Sequence, residues 1–114
     1  MKMTPKEVKE LIKQAGVPCE YYKFAEDTKQ EPPFICYFFD GGEDLYADNI
    51  NYCHLEKLYI ELYTDRKDFA LEARLQTILN SNGIAYSKEE DNIDSEHMHV
   101  TVYTTTINLE VQDG

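Results

Sequence analysis

The chain has 114 residues, the usual size of one folding unit, and 42% of them are hydrophobic, enough to fill one core and to argue against disorder. Asp and Glu number 22 against 11 Lys and Arg, and this net charge of -11 argues against binding to nucleic acid or anionic membrane. No apolar run approaches a bilayer span, and the charged start "MKMTPKEVKE" lacks a secretory signal. We therefore expect a single domain, residues 1–114, kept in the cytoplasm.

The first predicted element is a helix. Thr4 to Glu7 form a capping box, with proline in the first helical position. Gly16 suits the left-handed backbone that ends a helix, and Pro18 prevents its continuation. The spacing predicts a helix over residues 5–15, whose buried stripe is Val8, Leu11, Ile12 and Ala15.

Four segments then follow as candidate strands. The segment "CEYYKFAED" predicts a short strand or an extended arm, and "FICYFFD" predicts a central strand because both of its faces are apolar. The segment "EDLYADN" predicts a third strand. The segment "LEKLYIELYT" alternates, with Leu58, Ile60 and Leu62 on one face and Tyr59, Glu61 and Tyr63 on the other.

A second helix and two C-terminal strands complete the chain. Asp65 is the expected helix cap, with Asp68 in the first turn, and Gly83 is expected in the left-handed position at the end. In the last strand the apolar phase slips, which predicts a bulge or bend near Thr104 to Thr106. The buried stripe of the helix is Leu71, Leu75, Ile78 and Leu79, with Lys67, Glu72, Arg74 and Gln76 mostly outside it.

Because the strands cluster rather than alternate with helices, the sequence predicts an α+β fold. We expect a mainly antiparallel sheet of four to six strands, with two helices packed on one face. The predicted order of elements is α-β-β-β-α-β-β.

A glycine pair ringed by acids lies between two predicted strands. The carboxylates are not spaced as the alternating ligands of a calcium loop, and the lysine of a phosphate-binding loop is missing. Paired glycines fit a tight turn with positive φ. The sequence therefore predicts an acidic hairpin turn formed by Asp40, Gly41, Gly42, Glu43 and Asp44.

Two histidines are the best candidates for a metal site. His97 and His99 are two residues apart, so on a strand they would share one face and could hold one ion. A third ligand would come from Asp94, Glu96, His54 or a neighbouring strand. The alternative is that both are merely polar residues on an exposed strand. These histidines leave open a small cytosolic metal-binding domain or enzyme.

The sequence otherwise defines no active site. Cys19, Cys36 and Cys53 include no C-x-x-C pair and are expected to be small buried hydrophobes. No G-x-S-x-G motif is present, and acidic runs such as "KEEDNIDSE" are typical of solvated loops. We therefore expect no catalytic residue, no cofactor and no enzymatic activity.

Tyrosine is over-represented, with nine residues and no tryptophan. Tyrosine serves both in cores and at protein interfaces. Tyr59, Tyr63 and Tyr103 are therefore candidates for contacts between copies of the chain. The alternative is that these rings lie in the core beneath a helix or a sheet layer.

Four blocks between Pro32 and Leu109 carry a resemblance to a known family: "PPFICYFF", "YADNINY", "LYIELYTDRKDFALEARLQTILNSNGIAY" and "SEHMHVTVYTTTI". They resemble the tail terminator, or tail completion, proteins of bacteriophages and prophages of Gram-positive hosts. Asn49 departs from the pattern, since glycine is commoner there, but asparagine also tolerates a left-handed turn.

The resemblance implies a single α+β domain whose copies form a ring, usually hexameric, at the head-proximal end of the phage tail. Such a ring stops polymerisation of the tail tube and joins it to the head. The implied partners are further copies of the chain, the tail-tube protein and a head-completion or connector protein, and the implied location is the virion. The family brings no catalytic residues with it.

Overall fold

The computed structural model describes residues 2–24, 30–47 and 50–110, with the backbone alone described for 42–47 and 50–53. These residues form six strands, two α-helices and a short 3₁₀ turn over Asp94–Glu96. The bounds are β1 Lys2–Met3, α1 Pro5–Lys13, β2 Cys19–Tyr21, β3 Phe34–Ala47, β4 Ile50–Thr64, α2 Phe69–Ser81, β5 Ser87–Ile93 and β6 Met98–Leu109.

All six strands belong to one mixed sheet. The strand order is β1-β6-β4-β3-β2, and β5 also pairs with β6. Strands β3, β4, β5 and β6 pair antiparallel, whereas β1 is parallel to β6 and β2 is parallel to β3. The predicted α+β class is confirmed, but the predicted order lacked β1 and the sheet is mixed.

Both helices contribute to the core on the same face of the sheet. Helix α1 begins with the predicted reciprocal capping box between Thr4 and Glu7. Residues two apart on each central strand point to the same face, which places the alternating apolar set of β3, β4 and β6 against the helices. The shared core includes Val8, Leu11, Ile12, Leu71, Leu75, Leu79, Ile35, Tyr37, Leu58, Ile60, Leu62, Tyr103 and Ile107.

Helix α2 begins later than predicted. Its N-cap is Asp68, whose side chain accepts a hydrogen bond from the backbone N–H of Leu71 at 3.0 Å. The expectation that Asp65 caps this helix is therefore wrong, because the chain continues for three more residues after β4 before it turns into the helix. Gly83 ends the helix at a φ of 68°, as predicted.

The glycine pair does not form the hairpin turn that the sequence predicted. Strand β3 continues through both glycines, and Gly42 and Glu43 pair with Glu56 and Leu55 of β4. The register shifts between Phe39 and Gly42, where Gly41 has a φ of 79°, so this site is a β-bulge. The two predicted strands on either side of the glycines are therefore one strand.

The antiparallel pair extends beyond the rest of the sheet. Strand β6 stops pairing with β4 at Leu55, and β2 pairs with β3 only along 35–37. Among the described residues, the segments 44–47 and 50–54 therefore pair only with each other, from Asp44 opposite His54 to Ala47 opposite Ile50. We call these two segments the ribbon arm.

The bulge predicted near Thr104 to Thr106 is also absent from the pairing of these described residues. The register between β4 and β6 runs without a shift from Leu55–Asn108 to Thr64–His99. The positions of β6 that face the helices are occupied by polar as well as apolar residues. The alternation of apolar residues therefore does not show which residues of β6 face the core. These positions are His99, Thr101, Tyr103, Thr105, Ile107 and Leu109, all of them buried.

Candidate functional site

The face of the sheet opposite the helices carries two stacked pairs of aromatic rings. Phe34 stacks on Tyr63 with ring centroids 4.9 Å apart, and Phe38 stacks on Tyr59 at 5.1 Å. Each pair joins residues directly opposite each other in the β3–β4 register. We call these four residues the aromatic face. Their side chains are half-buried, although neither described helix contributes to the core on this side.

A carboxylate lies between the two ring pairs. Cys36 and Glu61 are opposite each other in the register, midway between the stacked pairs. The Tyr63 hydroxyl donates a hydrogen bond to Glu61 Oε1 at 3.2 Å. Burial raises the pKa of Glu61, and the hydrogen bond from Tyr63 opposes that rise only in part. The aromatic face therefore holds an oriented acid in partly desolvated surroundings.

The chain after β2 folds over the aromatic face. Tyr22 has a φ of 69°, a left-handed conformation that is uncommon outside glycine and that turns the chain out of β2. Its ring then lies 5.8 Å from that of Phe38, edge to face, and the ring of Phe24 lies 5.5 Å from that of Phe34. Both contacts extend the aromatic surface towards solvent, where Tyr22 is 62% exposed.

An open groove of about 790 Å³ runs along this end of the aromatic face. Its apolar lining includes Phe24, Phe34 and Tyr63. The charged side chains along it are three carboxylates and one lysine, namely Glu31, Asp65, Glu96 and Lys23. The groove thus combines aromatic rings with an excess of negative charge.

The cysteine thiols with described side chains are poor nucleophiles. Cys36 is buried, and its pKa is raised to about 11 by burial and then by the charge of Glu61. Burial also raises the pKa of Cys19, although Lys13 and Lys9 oppose the rise. The expectation that Cys36 is a small buried residue is confirmed, and the side chain of Cys53 lies outside the described residues.

A second polar cluster lies on the helix-bearing face of the sheet, between α2, β5 and β6. Glu72 is only 3% exposed, and its Oε1 accepts from the Nζ atoms of Lys67 at 2.8 Å and Lys88 at 2.7 Å. Lys67 also pairs with Glu90, which in turn lies 3.0 Å from Nε2 of His99. We call these five residues the charge network.

Three side chains of the charge network lie close enough together to share a metal ion. Glu72, Glu90 and His99 each offer a ligand atom, all within 4.8 Å of one another. Two ammonium groups already bond to these carboxylates, and a metal ion would have to displace them. The geometry therefore fits a structural ion-pair network better than a metal centre.

The two histidines of the predicted metal site have different surroundings. His97 ends the 3₁₀ turn in a left-handed conformation, with a φ of 53°, and is exposed. His99 is buried in β6, with Nδ1 2.9 Å from Oδ1 of Asn92. The expectation that both lie on one face of a strand is wrong, because β6 begins only at Met98. Among the residues considered as a third ligand, His54 pairs with Glu56 at 3.0 Å.

The three candidate interface tyrosines do not share one environment. Tyr59 and Tyr63 belong to the aromatic face and are half-buried. Tyr103 is fully buried, and its hydroxyl donates to Oε1 of Gln76 on α2 at 3.0 Å. Tyr103 is therefore a core residue in this structure, and the prediction that it contacts another copy is wrong.

The acids around the glycine pair are only partly described. Asp40 is exposed and precedes the bulge at Gly41. Gly42, Glu43 and Asp44 are paired strand residues whose side chains lie outside the described part of the chain. The acidic surface expected from Asp40, Glu43 and Asp44 therefore stays a prediction.

Sequence reasoning missed the charge network almost entirely. The spacing predicts that Glu72 lies outside the buried stripe of α2, and the acidic run predicts that Lys88 and Glu90 lie in a solvated loop. One signal was present: Lys88, Glu90 and Asn92 alternate along β5, which places all three on one face. Their partners on α2 come from elsewhere in the chain, so the sequence could not show the pairing.

Comparison with known proteins adds no family to this description. No protein-family model matches the chain, and no curated protein matches it either. Neither described α-helix is long and apolar enough to cross a membrane.

Proposed function

We propose that this protein is a structural subunit of a phage virion, of the tail terminator type. Copies of the chain form a ring, hexameric by the resemblance, that ends the tail tube at its head-proximal side and meets a head-completion or connector protein. The role is structural, without a catalytic residue or a cofactor. Four sequence blocks between Pro32 and Leu109 support the proposal, together with one feature of the fold.

That feature is the ribbon arm. An isolated two-stranded ribbon is marginally stable in water, and both outer edges of the arm lack a neighbouring strand among the described residues. A third strand or a packing surface from another molecule would satisfy these edges. A ring is built from heterologous contacts, in which a projecting element of one subunit meets a different surface of the next. The ribbon arm, which extends beyond the rest of the sheet, is a projecting element of this kind.

The aromatic face and the net charge fit the same role. Tyr59 and Tyr63 lie on the sheet surface that faces away from the helix-packed core, where a neighbouring subunit or the tail-tube protein could cover them. Aromatic residues are enriched at protein interfaces. A net charge of -11 per subunit would also let DNA pass through the ring without binding to its wall.

Native mass spectrometry and electron microscopy test this function on the full chain, alone and mixed with tail-tube protein. We expect closed rings that cap tubes and limit their length. The matched variant replaces residues 44–54 with an Asn-Gly turn, which closes the hairpin directly after the pair Glu43–Leu55. We expect this variant to fold, as judged by circular dichroism, and to remain monomeric.

Two outcomes would count against these claims separately. If the full chain stays monomeric and leaves tube length unchanged, the tail terminator function is wrong. If the variant without the arm forms the same rings as the full chain, the function stands and the arm is not the contact.

A further inference from the structure

We propose that the groove beside the aromatic face binds an extended segment of a partner protein that carries an arginine. The charge and the ring geometry of the groove favour this occupant. The site does not depend on ring formation, since it is built within one copy of the chain.

The lining favours a cation over a neutral or acidic group. Three carboxylates, those of Glu31, Asp65 and Glu96, line the groove against one lysine. The chain as a whole carries -11, so the long-range field adds to the local one and draws a basic segment towards it. The same charge disfavours an acidic segment as the occupant of the groove.

The rings favour a guanidinium among cations. Phe34 and Tyr63 stack with an interplanar angle of 17°, and Phe24 meets Phe34 edge to face at 83°. A planar guanidinium stacks on aromatic rings and can bond a carboxylate through two parallel N–H groups, whereas a lysine ammonium does neither as well. The groove places aromatic rings and carboxylates side by side, where one guanidinium can contact both.

The dimensions of the groove admit a peptide side chain with some backbone. An open volume of about 790 Å³ is within the range that holds compact ligands. Strand β2 is short and parallel to β3 over 35–37, so the floor beside Phe34 and Cys36 is supported by strand pairing on both sides of β3. A pre-formed floor lowers the entropy cost of binding.

Nuclear magnetic resonance of the full chain tests the site. The probe is a short peptide that alternates glycine and arginine, and the matched peptide replaces each arginine with citrulline, which keeps the shape and removes the charge. We expect saturable shifts centred on Phe34 and Tyr63 with the arginine peptide, and at least about tenfold weaker binding with citrulline. A lysine peptide should bind with intermediate affinity.

Paired variants separate the groove from the general charge of the molecule. Asp65→Asn with Glu96→Gln removes two carboxylates from the groove and should weaken binding by about tenfold. Glu10→Gln with Glu110→Gln removes the same charge from exposed positions on α1 and after β6, and should leave affinity within about twofold. Equal weakening by both pairs, equal binding of the citrulline peptide, or shifts centred away from the aromatic face would each overturn the proposal.

Discussion

At the scale of single residues, the buried carboxylate of Glu72 requires a specific explanation. Burial alone would raise its pKa, because the charged form loses its water. Hydrogen bonds and charges from Lys67 and Lys88 outweigh that effect, and the pKa is lowered. The pKa of Glu90 is lowered as well, first through its hydrogen bond from Lys67. The network is thus stabilised by the ionised forms of both acids.

This arrangement predicts how stability depends on pH. Both carboxyls have folded-state pKa values below the usual 4.5, so the unfolded state binds protons first as the pH falls. Their contribution is therefore present above about pH 4.5 and is lost as the pH falls through the folded pKa values. We expect Glu72→Gln to lower the free energy of unfolding by about 2 kcal/mol at neutral pH and to flatten this acid-side loss.

Urea unfolding followed by circular dichroism across a pH series measures this effect. The matched control is Glu89→Gln, which removes one charge from an exposed position on β5, next to Glu90. The control should keep both the stability and the shape of the pH profile. A Glu72→Gln profile parallel to that of the unmodified chain would show that the network does not carry the pH dependence.

Residue-scale expectations succeeded where one short segment held all the information. The capping box of α1 and the left-handed Gly83 were predicted correctly, because both depend on neighbours within a few positions. The geometry expected for the metal site is wrong because it required His97 to lie in a strand, whereas the chain turns there and only His99 enters β6. The burial of Tyr103 depends on α2, which no local pattern could show.

At the scale of elements, the sequence allows two residues as the N-cap of α2. Asp65 and Asp68 both precede residues that can be helical, and each could accept from a backbone N–H three positions later. The structure selects Asp68. The intervening Lys67 forms ion pairs with Glu72 and Glu90, which link the connection between β4 and α2 to α2 and β5.

The choice between the two caps is measurable. Asp68→Ala removes the bond to the N–H of Leu71 and should cost about 1 kcal/mol of unfolding free energy. Asp65→Ala is the matched control, since it removes the same side chain from an exposed position outside the helix, and it should cost less than about half as much. Urea unfolding of the two variants decides between them. A larger loss from Asp65→Ala would contradict the assigned cap.

The glycine bulge belongs to the same scale. Paired glycines fit a hairpin turn, but they equally permit a bulge, where one residue takes a positive φ while the strand continues. Strand β3 pairs with β4 on both sides of Gly41, which makes the site a bulge. That pairing depends on residues fourteen to nineteen positions away, namely Glu56 opposite Gly42 and Leu58 opposite Phe39. The sequence contained the strand and the irregularity, but not which of the two structures would form.

At the scale of the whole molecule, the fold class followed from the clustering of strands, while the mixed sheet did not. The two parallel pairings involve the shortest strands, β1 with two residues and β2 with three. Each pairs with a distant strand or across a long connection, as in Lys2 opposite Asn108. Strands this short show no periodicity in the sequence. Their direction could therefore not be predicted from it.

Net charge links the whole molecule to its proposed assembly. Copies that each carry -11 repel one another, and this repulsion acts over a Debye length of about 10 Å at 0.1 M salt but only about 3 Å at 1 M. Contacts through the ribbon arm and aromatic rings do not weaken in the same way. We therefore expect self-association to strengthen as sodium chloride is raised from about 0.05 M to about 0.5 M.

Sedimentation velocity at several protein concentrations measures this salt dependence, with sucrose at matched osmolality as the control for crowding and solvation. The arginine peptide should show the opposite trend, because its attraction to the groove is screened by the same ions. Opposite slopes for the two processes would mean that copies meet through strand edges and rings while basic segments meet the groove through charge. Self-association that weakens with salt would instead place ion pairs at the contact between copies, and would direct attention to the lysines of α1 rather than to the ribbon arm.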